Sequence, residues 1–262
     1  MKKLLLSGIT AVALMAAGPV QASDLNINGE TGLGRTPMAA ALPPMTLAVA
    51  ADYIFSDDGA VPLRAEFGLP YGIEIGGNYT WVDSDALDPD IYSLNAKWVL
   101  PPFVQNLGLA VGGHYYAQEW DSFIRGERVD NDGHDLYAVA SYFAPVGDGM
   151  TLIPSFGLQW LSRTGDNDKD AWKFFGSLAL KAPKWSIGAE YISKDEDVDN
   201  IKIGNVEYEV DGFWWAGGRY YVNPMWTLQA GYINDTNWSA DWDDFADGVF
   251  HVGAQFAFSF AN

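Results

Sequence analysis

The chain has 262 residues, no cysteine and a formal charge of −19. Without cysteine there are no disulfides, thiolate metal centres, cysteine nucleophile or lipidated amino-terminal cysteine, and the acidic balance argues against nucleic acid as a partner. Aromatic residues make up 15% of the chain, with 11 tryptophans, yet no apolar run after residue 22 is long enough to span a membrane as a helix.

In chain order, residues 1–22 read as a secretory signal. Lys2 and Lys3 supply the positive start, Leu4 to Ala17 the apolar stretch, and Val20-Gln21-Ala22 a small-residue cleavage motif before Ser23. Cleavage there removes two of the 15 basic residues and none of the 34 acidic ones, which takes the charge from −19 to −21. Residues 23–45 hold Gly29, Gly32, Gly34, Pro37, Pro43 and Pro44 and predict an extended or flexible segment. Two placements are open for it: the periplasm, or the lumen of the domain that follows, as a small plug.

From Thr46 to residue 262 the chain alternates oily and polar residues in stretches of about ten, the length a tilted strand needs to cross the hydrocarbon layer. The pattern predicts an all-β, antiparallel transmembrane β-barrel. Its twelve strands lie near 46–56, 61–69, 72–82, 91–100, 107–118, 134–144, 150–162, 171–181, 184–193, 206–222, 225–233 and 248–260. Soft boundaries leave ten or fourteen as neighbouring counts. Connections after even-numbered strands are tight (Pro70-Tyr71, Pro101 to Asn106, Pro145 to Gly149, Ala182-Pro183, Asn223-Pro224), as periplasmic turns are. Those after odd-numbered strands are mostly longer and acidic, with 27 of the 34 Asp and Glu residues in 57–58, 83–90, 119–135, 163–170, 194–211 and 234–247, as acidic extracellular loops would have.

Aromatic residues on the oily face gather in two belts. Trp98, Tyr142, Trp185, Tyr220, Trp226 and Phe260 fall at the turn end; Tyr53, Trp81, Trp160, Trp172, Tyr191, Trp214 and Tyr232 fall nearer the loop end. Girdles of this kind mark the two membrane–water interfaces. A secreted β-sandwich also alternates, but would have no reason to place tryptophan at both edges. Lipid cannot hydrogen-bond an open strand edge, so the first strand is expected to pair with the last.

The aromatic final strand, ending in Phe258-Ser259-Phe260, resembles the C-terminal signal that the barrel-assembly machinery of Gram-negative bacteria reads, although Ala261 and Asn262 follow it. The segment 29–50, GETGLGRTPMAAALPPMTLAVA, resembles the opening of YjbH-type and related uncharacterised barrel families, where a "TGL…TP.A" stretch precedes the first strand. That resemblance implies a cell outer-membrane location, in some members tied to exported polysaccharide, and no enzymatic chemistry.

The candidate functional surface is the inward face. It carries Arg64, Glu66, Glu74, Asn78, Asn95, Lys97, His114, Gln118, Lys173, Lys181, Glu190, Arg219 and Gln229, mixed charges suited to lining an aqueous path. The leading expectation is a porin-like channel for passive transport of small hydrophilic solutes. The alternative is a closed barrel associated with polysaccharide, lipopolysaccharide or a partner protein. Phe213 and Trp215 share the parity of Arg219 and so face inward, as a stacking platform or as packing against an inward loop. Outer-membrane lipids and lipopolysaccharide are the expected surroundings.

A membrane-embedded hydrolase is the third reading. It rests on Asp52 and His251, which point inward at neighbouring seam positions, but no nucleophile or second carboxylate completes a catalytic set. The expectation is no enzyme, no cofactor and no metal. Asp166-Asn167-Asp168-Lys169-Asp170 lacks the turn glycine and closing glutamate of a calcium loop, and Asp130-Asn131-Asp132-Gly133 has Arg128 at its first ligand position. Diffuse divalent-cation binding by the acidic loops, or plain solvation, accounts for these runs.

Overall fold

The computed structural model describes residues 24–55, 59–82, 90–122, 127–165, 169–194, 201–203, 206–208, 212–234 and 248–260. The signal at 1–22 and the run at 166–168 therefore lie outside the described residues. Alternation of side chains produces β-structure throughout: β1 (Thr46–Phe55), β2 (Ala60–Leu69), β3 (Ile73–Val82), β4 (Asp90–Val99), β5 (Leu107–Ser122), β6 (Glu127–Tyr142), β7 (Ala144–Gly147), β8 (Met150–Gly165), β9 (Lys169–Lys181), β10 (Trp185–Ile192), β11 (Ile201–Ile203), β12 (Val206–Tyr208), β13 (Phe213–Tyr221), β14 (Trp226–Ile233) and β15 (Val249–Ser259).

Twelve of these strands form one closed antiparallel barrel. Each pairs with its neighbour among the twelve: β6 passes over the short β7 to pair with β8, β10 passes over β11 and β12 to pair with β13, and β1 pairs with β15 along its whole length, from Thr46 opposite Ser259 to Phe55 opposite Phe250. That seam removes the last free edge, as the hydrocarbon environment demands.

Two predicted boundaries are corrected. The strand expected over 206–222 is Phe213–Tyr221, because Val206–Tyr208 folds back on Ile201–Ile203 in a separate two-stranded ribbon. The acidic stretch 119–135, read as a loop from its charge, is largely strand: β5 and β6 stay paired as far as Ser122 opposite Glu127. Charge is a poor guide there, since an antiparallel ladder that projects into water tolerates charged side chains on both faces.

The barrel is turned inside out relative to a soluble protein. Outward positions carry Leu94, Phe156, Ile187, Leu228 and Val252 exposed in the middle of their strands. Of the belt residues, Trp81, Trp98, Trp172, Trp185, Trp214, Trp226 and Phe260 are exposed on the outside, while Trp160 is half-buried with its ring edge-on to His134. Around the seam Phe67, Phe256, Phe258 and Phe260 pack ring against ring. Leu94, 63% exposed and opposite Gly77 in mid-strand, gives a direct test. Leu94→Arg should lower barrel stability in lipid by about 2–4 kcal/mol, the depth-dependent cost of a lipid-facing cation near the midplane. Equilibrium unfolding from vesicles measures it.

Candidate functional site

Residues 24–44 lie inside the barrel. The segment doubles back on itself, with Leu25 bridged to Thr31, Gly32 to Pro37, and the Ile27 N–H donating to the Gly34 carbonyl at 2.6 Å. Both ends sit at the turn end. Asp24 meets Lys181 and the Tyr221 hydroxyl, and Pro43 runs past Gly68 into β1. Of the two placements left open by the sequence, the structure has the lumen.

Its glycines are where the chain needs them. Gly29 has φ +105° and lies so close to the wall that a Cβ would come 3.1 Å from the Gly77 carbonyl oxygen. At Gly34 a Cβ would overlap the Trp215 ring and the Glu190 carboxylate.

A segment inside a barrel has neither bulk water nor a strand edge for its amides, so wall side chains must serve them. Arg219 donates to three carbonyls: Leu25 at 3.0 Å, Gly32 at 2.8 Å and Leu33 at 3.2 Å. Arg64 takes the Asn26 carbonyl at 2.8 Å, Asn78 that of Ile27 at 3.2 Å, Asn95 that of Asn28 at 3.2 Å, and Lys97 that of Thr31 at 2.9 Å. Carboxylates serve the N–H groups. Glu74 accepts from the N–H groups of Thr31 and Leu42 and from the Thr31 hydroxyl; Glu190 accepts from the N–H groups of Arg35 and Thr36 and from the Thr36 hydroxyl.

Two ionic clusters fix the segment further. Glu30 enters the wall between the His114 Nε2, at 3.0 Å, and the Tyr137 hydroxyl, while the other ring nitrogen of His114 faces Asp135 at 2.8 Å. At the seam, Asp52 pairs with Arg64 and accepts from the Gln229 amide, and Gln229 accepts from Arg219 and Gln255. His251 stands 3.5 Å from Asp52, and its Nε2 accepts the Trp215 indole N–H at 2.8 Å. Of the seam pair, Asp52 is tied to Arg64 and Gln229, while one ring nitrogen of His251 is taken up by tryptophan and the other, facing Asp52, makes no hydrogen bond among the described residues. Phe213 stacks beneath the Arg35 guanidinium, 5.2 Å from its centroid, so this ring packs against the inward segment.

The sequence-derived lining residues Arg64, Glu66, Glu74, Asn78, Lys97, His114, Lys181, Glu190, Arg219 and Gln229 all occupy inward positions, with Lys173 half-buried among them; the Gln118 side chain lies outside the described residues. Most contact the segment directly rather than an open lumen. Glu66 differs, fully buried with neither carboxylate oxygen paired. Sequence reading did not single out Asp24, Glu30, Ser141, Tyr137, Tyr221 or Gln255 as partners. The usable signal was two lone carboxylates in a glycine- and proline-rich segment followed by a wall with cations at matching parity.

Solved structures of porins share this fold. The KdgM porin aligns with TM-score 0.54 and 13% identity over 80% of this chain and 99% of its own. The same porin "in complex with disordered oligogalacturonate" gives 0.53 and 13% over 80% and 99%, and the NanC porin 0.51 and 11% over 80% and 98%. The fold is a porin-type twelve-stranded β-barrel. No family model and no curated protein matches the chain, so the YjbH-type resemblance of residues 29–50 rests on those residues alone.

Two predictions follow from the docking contacts. Arg219→Ala orphans the Gly32 and Leu33 carbonyls, while that of Leu25 keeps Gln255; each orphan costs about 1–3 kcal/mol when buried, so amide hydrogen exchange of residues 25–36 should quicken at least about tenfold while the barrel strands keep their protection. The second concerns acid. Burial alone would raise the Asp24 and Glu30 carboxyls, but Lys181 and Arg219 beside Asp24, and His114 and Lys97 beside Glu30, hold both below their ordinary values. Such groups stabilise docking fully above their ordinary pKa and lose that contribution as pH falls through the depressed value. Protection of the segment, with the intrinsic pH dependence of amide exchange divided out, should therefore fall below about pH 4.

Proposed function

We propose that the protein is a gated, channel-like barrel of the outer membrane, through which small hydrophilic solutes pass when the segment 24–44 shifts. The observation that carries this is the division of labour in the lumen. The wall is hydrophilic, with Arg64, Glu66, Glu74, Lys97, Glu190 and Arg219 directed inward, and the segment lying across it is tethered at one end and held by hydrogen bonds. A barrel shut for good can fill its interior with side chains from its own strands. Here, movement of the segment would leave a wall whose ions take up water. The porin-type fold, the exposed aromatic belts and the signal-like residues 1–22 support the outer-membrane location, with outer-membrane lipids and lipopolysaccharide as surroundings and the barrel-assembly machinery as the route of insertion. Hydrolytic chemistry has little support, since the Asp52–His251 pair serves Trp215 and Arg64 and has no nucleophile among the described residues.

Single-channel recording in planar bilayers with potassium chloride tests this. Wild-type protein should be mostly closed with brief openings. Arg219→Ala combined with Glu190→Ala should raise the open fraction at least about tenfold, the factor that about 1.4 kcal/mol sets. Silence from both proteins, shown to be folded and inserted, would favour instead a closed barrel whose loops bind polysaccharide, lipopolysaccharide or a protein.

A further inference from the structure

We infer that the lumen wall is a binding track for peptide main chain, and that residues 24–44 occupy it as an internal stand-in for a peptide ligand. This names the solute class of the channel proposed above and rests on that reading.

What the wall recognises is backbone. Four consecutive carbonyls, those of Leu25, Asn26, Ile27 and Asn28, are each taken by a wall side chain: Gln255 and Arg219, then Arg64, Asn78 and Asn95. Three more, those of Thr31, Gly32 and Leu33, go to Lys97 and Arg219. Further along, the contacts change sign and the N–H groups of Arg35, Thr36, Ala39 and Leu42 go to Glu190, Ser141 and Glu74. Gln255 serves both groups of one residue. Its amide oxygen accepts the Leu25 N–H at 3.1 Å and its amide nitrogen donates to the Leu25 carbonyl at 2.9 Å. A neighbouring β-strand would offer the same donor and acceptor pair.

The carbonyl contacts themselves are indifferent to side-chain identity, and the side chains of Asp24, Glu30, Thr31 and Thr36 add contacts of their own. The side chains of Asn26 and Asn28 bond back to the Arg35 carbonyl within the segment, so the wall reads their carbonyls and not their side chains. Leu25, Ile27 and Leu33 contribute no polar group at all. A second peptide could present the same run of carbonyl acceptors followed by N–H donors. A neutral oligosaccharide offers hydroxyls, weaker acceptors than the amide carbonyls that Arg219, Arg64 and Lys97 engage.

The test uses the full chain. It has no cysteine, so Leu33→Cys adds a single thiol at a site only 2% exposed, and its reaction with a small water-soluble maleimide reports displacement of the segment. Ile27→Cys is the second reporter should the first perturb folding, and an Arg219→Ala background shows the rate for a loosened segment. A capped hexapeptide of alanine and serine at millimolar concentration, comparable with the effective concentration of a tethered segment, should speed labelling about tenfold, and maltohexaose should leave it unchanged. Equal acceleration by the sugar, or no acceleration by the peptide, overturns the inference. Labelling needs no ion flow, so a silent bilayer with peptide-dependent labelling would remove the channel and keep the peptide track.

Discussion

No buried backbone amide here can be left without a partner, and the protein meets that demand twice. The strands meet it by closing, each edge paired with the next and β1 with β15. The segment within meets it through side chains. An unpaired amide away from water costs on the order of several kcal/mol. A chain threaded through a lumen therefore needs a wall that supplies donors and acceptors at the right heights, and the polarity of the interior follows from that need. An oily interior would be cheaper to build but could not hold main chain.

The same requirement explains why charges of both signs are interleaved. Peptide main chain offers acceptors and donors in alternation, so the wall answers with arginine, lysine and amides facing carbonyls, and glutamates facing N–H groups. Because the two kinds sit near each other, they also neutralise each other: Lys97 lies 2.7 Å from Glu74, and Arg64 is paired with Asp52. Charges of both signs thus stand side by side along the wall.

The barrel was legible in the sequence because its determinants are local. Period-two alternation in 72–82 or 225–233 needs only neighbouring residues to be read, and tight Pro-containing turns give the pairing order. The occupied lumen was less legible because its determinants are distant in sequence. Leu25 meets Gln255, 230 positions away, and Glu30 meets His114 across 84. Parity correctly put Arg219, Lys97 and Glu190 inside, but parity cannot tell whether water or a polypeptide faces them. One clue was available. Glycine stands at inward position 188, where an added side chain would press on Leu33 of the segment, so the space beside the wall is already taken there. Loops misled for a different reason. Acidic composition marks contact with water, and the outer part of the β5–β6 ladder is both acidic and paired.

The doubled-back course of residues 24–44 has a mechanical consequence. With Asp24 and Pro43 both at the turn end, no free chain end has to be threaded through the barrel for the lumen to empty. A pull on either end loads its contacts in succession, Asp24 first from one side and Leu42 first from the other, so the segment peels. A straight strand pulled along its axis would instead load all its bonds at once and shear. Peeling divides one large barrier into many small ones, and a modest force applied from the turn side is enough to start it.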